Sequence, residues 1–292
     1  MGYALSMPWR RRSFVLSSAL APLAAFPAQS VLRRLRIPHV SAKAELEHSY
    51  PAQLLEQALA AAGMAATLEP TPELIPQNRA LQELGRHGGR LDVVWTMTSV
   101  EREQQARPVR VPIFRGLYGW RLLLATPEVA ARMSDVQNLN ELRRFSMVSG
   151  HEWPDTGILQ ANGLKVVVSP NYDPMFKQVR LGRADAFPRS VEEIWWELER
   201  YGHGLVVVPN ICLHYPAAMY YFVAPDDTEL AAAIELGLQR LRTSGALERL
   251  FLKHHGEDLA RAKLGSRRII ELRNPLLPLQ TPLDKAELWY RP

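Results

Sequence analysis

The sequence predicts an α/β protein made of two lobes of similar construction, each a mostly parallel sheet flanked by helices. The tetrapeptide Gly-Arg-x-Asp occurs twice, at residues 89–92 and 182–185. Each copy follows a helical stretch and opens an apolar run, and a helix often ends at a left-handed residue that glycine adopts at little cost. Around the two copies strands alternate with helices, which is typical of mostly parallel sheets. Chains with two such lobes usually place a ligand between them.

The elements of the first half follow from apolar periodicity and from residues that begin or end helices. Residues 50–62 are the clearest helix, because Pro51 stands in the first turn and Gly63 supplies the end. The other elements predicted here are strands at 31–37, 67–74, 91–95, 110–114 and 120–125, and a helix at 77–84.

The second half continues the alternation and ends in a different composition. Helices are predicted at 138–144, 156–162, 173–181, 191–200, 228–244 and 246–255, and strands at 145–148, 164–169, 205–208 and 220–224. Residues 274–282 are rich in proline and leucine and lack a helical period. They predict that residues 264–292 form an extended segment that packs on the lobes, with Trp289 as an anchor, or else are disordered.

Composition and charge exclude several classes of protein. The 292 residues suffice for one large or two modest domains, and 47% apolar with 22% charged residues is ordinary for a globular protein. The single cysteine, Cys212, excludes an intramolecular disulfide and a cysteine-rich zinc site. Three of the five net positive charges lie at Arg10, Arg11 and Arg12. The rest of the chain is nearly neutral, which argues against nucleic-acid binding.

Residues 8–30 have the composition of a signal peptide. The three arginines precede an apolar stretch at 14–26 and a small-x-small site at 28–30. The run from Arg11 to Leu16 also resembles a twin-arginine signal. The alternative, a buried N-terminal helix, is disfavoured by Pro22 and Pro27. We therefore assign residues 1–30 to the signal peptide, with Met1 or Met7 as the first residue, and expect export to the periplasm and a mature chain that begins near Val31.

The order of segments over residues 31–256 resembles a known family. After the first Gly-Arg-x-Asp comes a Thr/Ser segment that ends in arginine, at 96–102, and then a proline-containing strand at 109–114. Further on are a glycine–threonine turn at 150–156, a strand at 220–224 and a late helix that a glycine ends at 245. This order is similar to that of the type 2 periplasmic solute-binding proteins, in their amino-acid-binding branch (bacterial family 3).

The resemblance implies a Venus-flytrap fold that closes on a small solute by hinge motion. Lobe 1 would comprise residues 31–120 and 220–263, lobe 2 residues 121–219, and residues 264–292 would be an extension. It also implies delivery of the solute to an ABC permease, or signalling to a membrane sensor, without a cofactor.

Arg102 is the first candidate for ligand binding. In the family the arginine at this point binds the α-carboxylate of the ligand, and a guanidinium makes a bidentate, charge-assisted pair with a carboxylate. Thr98 and Ser99 would add hydroxyl donors beside it. The alternative is a surface arginine paired with Glu101 or Glu103.

Two further positions are predicted to face the ligand. Thr156, with the backbone of 150–156, would form an anion site at a helix N-terminus, although Asp155 and Thr156 are equally suited to capping that helix. Trp95, which follows the first-lobe strand, would form an aromatic wall.

The sequence departs from the family after the second repeat. Family members carry an aspartate about five residues past the repeat aspartate, where it holds the ammonium group of the ligand; here Arg189 or Ser190 stands at that place. Since Arg189 would repel an ammonium, we expect a carboxylate-bearing solute, with Arg102 and Arg189 clamping a dianion. The alternative is a structural Arg189 paired with Glu192 or Glu193.

Enzyme classes find little support in the sequence. His151-Glu152 lacks the second histidine of a zinc helix, and His254 and His255 do not share a helix face. No nucleophile elbow or phosphate loop is present. We expect a binding protein without catalytic or metal-binding residues. Two alternatives stay open: a sensory or interaction module with a degenerate pocket, and a dehydratase-like enzyme that uses His151, Glu152 and Asp155.

Overall fold

The computed structural model describes residues 1–2, 32–39, 49–84, 86 and 88–292. Within it, Val31–Pro292 form one compact unit. The predicted signal peptide at 8–30 lies outside the described residues. Across the described part of the chain, no helix combines the length and the apolar character needed to cross a membrane.

Strands and helices alternate through most of the compact unit. The strands are β1 (Arg33–Ile37), β2 (Ala66–Pro70), β3 (Val93–Met97), β4 (Arg107–Val109), β5 (Trp120–Ala125), β6 (Ser146–Gly150), β7 (Lys165–Ser169), β8 (Phe187–Ser190), β9 (Val206–Val207), β10 (Ile211–His214), β11 (Met219–Val223) and β12 (Arg268–Glu271). The α-helices are α1 (Tyr50–Ala62), α2 (Gln77–Glu83), α3 (Val100–Gln105), α4 (Pro127–Met133), α5 (Leu139–Leu142), α6 (Pro154–Ala161), α7 (Asp173–Arg180), α8 (Ile194–Tyr201), α9 (Thr228–Thr243) and α10 (Ala246–Ala262).

Each lobe is built on its own strands. In lobe 1, β1 pairs with β2 in parallel, and β11 lies antiparallel between β3 and β4. In lobe 2, β6 pairs with β7 in parallel, while β5 runs antiparallel to β8, β9 and β10. The predicted two-lobed α/β fold is confirmed. The sheets are mixed, because β5 and β11, which follow the two passages between the lobes, enter their sheets in the opposite direction.

The two Gly-Arg-x-Asp copies occupy equivalent places. The side chain of Asp92 accepts a hydrogen bond from the backbone N–H of Arg36 (2.7 Å), and that of Asp185 accepts one from the backbone N–H of Ser146 (2.8 Å). Each aspartate thus ties the repeat to the strand beside it. Gly182 is left-handed, as predicted (φ 66°). In the first copy the left-handed residue is instead the one before the motif, Gly88 (φ 74°).

Two segments join the lobes, residues 110–119 between β4 and β5 and residues 215–218 between β10 and β11. They touch each other, since the N–H of Tyr215 donates to the carbonyl of Gly119 (3.2 Å). A Cβ on Gly119 would lie 2.0 Å from the carbonyl oxygen of Tyr215, so only glycine permits this approach. The lobe boundaries at 120/121 and 219/220 stay a prediction.

The C-terminal segment packs against the rest of the chain. Helix α10 ends at Ala262, seven residues beyond its predicted end, and β12 then extends the lobe 2 sheet by pairing in parallel with β10. Strand β12 is not predicted by the sequence, because four residues flanked by charges carry little periodicity. The indole N–H of Trp289 donates to the carbonyl of Pro282 (2.8 Å), and its ring lies over Gly116. Trp289 therefore does anchor the segment.

This segment connects the two lobes after β12. The side chain of Asn162, in lobe 2, accepts from the N–H of Arg273 (3.0 Å) and donates to its carbonyl (2.7 Å). Three residues later the carbonyl of Leu276 accepts from the N–H of Val100 (3.0 Å), the first residue of α3 in lobe 1. We call residues 272–276 the strap.

Candidate functional site

Two cavities lie between the lobes, and Trp153 lines both. The first, the aromatic chamber, has a volume of about 500 Å³. Its walls include Trp95, Tyr118, Trp153, Tyr172, Arg189 and Glu192. The second, the arginine cavity, has a volume of about 690 Å³. Its walls include Asn78, Ser99, Arg102, Glu152, Thr156 and Leu276. Both volumes are in the range of small-molecule sites.

Arg102 is buried, with 4% of its surface exposed. One terminal nitrogen donates to the Thr96 hydroxyl (2.7 Å) and the Met97 carbonyl (2.9 Å). The other donates to the Gln77 side chain (3.0 Å) and, across the cleft, to the Glu152 carbonyl (3.1 Å). It also donates a longer bond to the Asn78 side-chain oxygen (3.4 Å). All five acceptors are neutral. Burial lowers the pKa of Arg102 to about 10, and nearby acidic groups offset this only in part.

The alternative of a surface Arg102 paired with Glu101 or Glu103 is therefore wrong. Its neighbours use their hydroxyls locally: Thr98 donates to the Glu103 carboxylate (2.8 Å), and Ser99 caps α3 by accepting from the N–H of Arg102 (3.2 Å). Ser99 lines the arginine cavity.

Thr156 lies in the first turn of α6 and also lines the arginine cavity. Its hydroxyl contacts Ser149 Oγ (2.8 Å) and donates to the Gly150 carbonyl (2.6 Å). Asp155 does not cap the helix. Its carboxylate instead pairs with Arg121 (2.5 Å) and accepts a hydrogen bond from the hydroxyl of Tyr215. The side chain of Thr156 therefore fixes the turn after β6.

Arg189 is buried and fully compensated. It makes a bidentate pair with Glu197 (2.6 and 2.7 Å) and a second pair with Glu193 (2.8 Å). Its guanidinium also lies 4.9 Å from the ring centres of both Trp153 and Phe187. Burial alone would lower the pKa of Arg189, but the two carboxylates more than offset it and hold the pKa well above its usual value. The structural alternative is the one that the geometry favours, and the basis for a dianion clamp is removed.

Ser190 and Trp95 differ in their relation to the chamber. Ser190 is fully buried, with its hydroxyl near the Leu117 carbonyl (3.4 Å), and it lies behind the chamber wall. Trp95 is half-buried on β3, stands edge-on to Tyr221 (6.4 Å) and lines the chamber from lobe 1. Trp95 thus lies at a cavity, and its predicted role as an aromatic wall for a ligand stays a prediction.

Trp153 is placed by β6 and α6. Its ring stacks on Phe187 (6.2 Å, 13° between planes) and covers Gly150, where a Cβ would lie 2.7 Å from it. The glycine of the predicted glycine–threonine turn is thus needed to seat the indole.

Three glutamates of the chamber were not predicted as ligand-binding residues. Glu192, Glu193 and Glu197 all line it. Burial and the adjacent Glu193 raise the pKa of Glu192 to about 8. The sequence placed residues 191–200 on one helix, whereas α8 begins at Ile194, so that Glu192 and Glu193 lie in the turn before it, towards the cleft. The signal that would have found the first two is an acidic pair that begins two residues after the end of a strand, β8.

The geometry offers little to the catalytic alternatives. The carboxylate of Asp155 is paired with Arg121 and accepts a hydrogen bond from Tyr215. Of the three residues proposed for acid–base chemistry, His151 and Glu152 line the arginine cavity and Asp155 does not. Burial raises the pKa of the Cys212 thiol to about 12, which makes it a poor nucleophile. Among the described residues, no cluster of three or more His, Cys, Asp or Glu side chains is arranged to hold a metal ion.

No family profile matches the chain, and no curated protein is similar in sequence. Solved structures do match. An ancestral arginine-binding protein bound to arginine has a TM-score of 0.55 at 16% identity, over 76% of this chain and 97% of that one. A periplasmic His/Glu/Gln/Arg/opine family-binding protein from Silicibacter pomeroyi, in complex with lysine, has a TM-score of 0.57 at 14% identity, over 77% and 98%.

The chain has the fold of the amino-acid-binding periplasmic proteins. A histidine kinase sensor domain with similarity to periplasmic binding proteins shares this periplasmic-binding-protein fold, with a TM-score of 0.55 at 18% identity over 77% of this chain and 97% of that one. The resemblance that the sequence predicted is thereby confirmed for the fold. Identities of this size establish the fold and leave the ligand to be argued from the site.

Proposed function

We propose that this protein binds a small solute between its two lobes, outside the cytoplasm. The observation that carries the proposal is the aromatic chamber, because Trp95 of lobe 1 and Trp153 of lobe 2 wall the same space of about 500 Å³. Proteins of this fold have been solved with arginine and with lysine bound, which supports a solute of that size.

Closure would follow from the two contacting segments between the lobes. A solute that touches both walls interacts more strongly with the closed state, and this difference in affinity is what shifts a two-state equilibrium. The bond from Arg102 to the Glu152 carbonyl already spans the cleft, and it would be formed or broken as the lobes move.

Arg102 is the proposed anchor for any carboxylate on the solute. Its five neutral acceptors leave a buried positive charge without a paired carboxylate among the described residues. A carboxylate in the arginine cavity would supply the missing negative charge by taking the place of the Glu152 carbonyl.

A thermal-shift screen tests the proposal. A ligand at a hundred times its dissociation constant adds about 2.7 kcal/mol to the free energy of unfolding. We expect a solute among amino acids, amines and small carboxylates to raise the melting temperature. For a carboxylate-bearing hit, Arg102→Ala should abolish the shift. The matched control is Arg107→Ala, because Arg107 lies at the surface and donates to the Pro225 carbonyl there. This variant should show the same shift in melting temperature as the wild type. If no compound shifts the wild-type protein, solute binding is not its function.

Export and delivery complete the proposal. The signal-like residues 8–30 support export, and the relatives by fold include the substrate binding protein of an amino acid ABC transporter, which supports uptake through a permease. N-terminal sequencing of the protein recovered from cells should place the first residue near Val31. A first residue at Met1 or Met7 would contradict export by cleavage.

A sensory role is the second candidate, since a histidine kinase sensor domain has the same fold. In that case the closed, solute-bound form would contact a membrane partner. Recovery of a sensor rather than a permease after cross-linking in cells would favour it.

A further inference from the structure

We propose that the aromatic chamber binds an organic cation, an ammonium or guanidinium group, and that this group decides which solutes enter. The proposal rests on the solute-binding function above and names the class of solute. It replaces the expectation of a dianion, which depended on a free positive charge at Arg189.

Aromatic rings surround the chamber on both lobes. Trp95, Phe114 and Tyr118 line it from lobe 1 and the connecting segment, and Trp153, Tyr172 and Trp196 line it from lobe 2. The faces of indole and phenol rings attract cations, with Trp the strongest. One such contact exists already, since the Arg189 guanidinium lies 4.9 Å from the Trp153 ring centre. The ring faces of the walls therefore favour a positively charged group.

The charges around the chamber are not balanced. Three glutamates, Glu192, Glu193 and Glu197, line the chamber with one arginine, Arg189. Glu193 and Glu197 are paired with arginines, whereas Glu192 forms no salt bridge among the described residues. A cation in the chamber would supply the counter-charge that this site lacks.

Glu192 would report the binding event. Burial beside Glu193 holds the pKa of Glu192 at about 8, so the group is largely protonated at neutral pH. A cation next to it favours the carboxylate and makes it release its proton. The charged or titratable groups that share the chamber with it are listed by element: Tyr118 from the connecting segment, Tyr172 before α7, Arg189 from β8, Glu193 and Glu197 beside and within α8, and His39 after β1.

Calorimetric titration of the full-length protein tests the proposal. The probes are 1,4-diaminobutane, choline and arginine, with 1-butanol as an uncharged control and glutarate as a dianion. We expect the cations to bind, the alcohol and the dianion not to, and cation affinity to rise from about pH 6 to about pH 9 as Glu192 ionises. At neutral pH, binding should release protons, seen as a heat that depends on the ionisation enthalpy of the buffer.

Glu192→Gln is the deciding variant, because it keeps the shape and removes the charge. It should weaken cation binding about tenfold at about pH 9 and leave it unchanged at about pH 6, where the wild-type carboxyl is protonated. Glu199→Gln, an exposed acid of α8 paired with Arg261 outside the chamber, is the matched control and should change neither value.

The outcomes separate the two proposals. Binding of glutarate alone would overturn the cation site and keep solute binding. Cation binding that Glu192→Gln does not alter at about pH 9 would also overturn it. Failure of every probe, including the amino acids of the thermal-shift screen, would overturn both.

Discussion

At the scale of single residues, buried charge is what the sequence describes least well. Arg102 and Arg189 are equally buried, at 4% exposure each. Arg189 is surrounded by carboxylates, whereas Arg102 bonds only neutral oxygens. Arg189 is therefore a charge-neutralised part of the chamber wall. Arg102 keeps a buried positive charge that an anionic group on a solute would neutralise.

Glu192 gives a prediction for stability against pH. Its pKa is about 8 in the folded chain and 4.5 when unperturbed. Between these values the folded state holds a proton that the unfolded state has lost, so this group makes the free energy of unfolding fall as the pH rises through that window. Glu192→Gln resembles the protonated form at every pH. We expect its melting temperature to exceed that of the wild type by at least about 2–4 °C at about pH 9.

The control for this experiment is the low-pH limb. At about pH 4 the Glu192 carboxyl is largely protonated in both the folded and the unfolded chain. The variant and the wild type should then have the same melting temperature. Equal melting temperatures at both pH values would show that the pKa of Glu192 is not raised.

At the scale of elements, the contact between α1 and α9 depends on one glycine. A Cβ on Gly237 would lie 1.8 Å from the carbonyl oxygen of Ala58, an atom of the α1 backbone that cannot move independently. We expect Gly237→Ala to separate the helices and to lower the free energy of unfolding by about 1–3 kcal/mol. Denaturant unfolding measures this directly.

A second helical glycine provides the control. Gly256 lies inside α10 and has no atom within 4 Å of its would-be Cβ. Gly256→Ala should therefore stabilise the protein by about 0.5–1 kcal/mol, because alanine loses less conformational freedom in a helix. If the two substitutions have effects of the same sign, the helix contact at Gly237 is not as close as described.

How far the sequence predicts these elements depends on the length of each signal. Helix α1 was predicted with its observed limits, because Pro51 and Gly63 mark both ends. Strand β12 was missed, since a short strand is recognisable only through its pairing with β10. In the site, Arg102 and Trp95 were predicted from their positions, and each lines a cavity. Glu192, Glu193 and Glu197 were not, since a one-turn error in the start of α8 hides which side chains face the cleft.

At the scale of the whole molecule, the strap limits how the lobes separate. A binding protein of this fold opens about the two segments between its lobes. Here residues 272–276 add a third connection, held by Asn162 in lobe 2 and by the N–H of Val100 in lobe 1. Opening the lobes must break the bond between Val100 and Leu276 or pull the strap from Asn162, so the strap favours the closed form.

Asn162→Ala tests this role, because it removes both hydrogen bonds to Arg273 and leaves the rest of the strap intact. We expect the solute-free variant to have a larger radius of gyration by X-ray scattering. The amide of Val100 should exchange hydrogen about tenfold faster, since its acceptor is released more often.

Asn140→Ala, which removes an exposed side chain bonded to Arg143 in lobe 2, is the control and should behave as wild type. Because a saturating solute favours the closed lobes, it should bring variant and wild type to the same radius of gyration. A variant that matches the wild type without solute would show that the two segments between the lobes alone set the degree of opening.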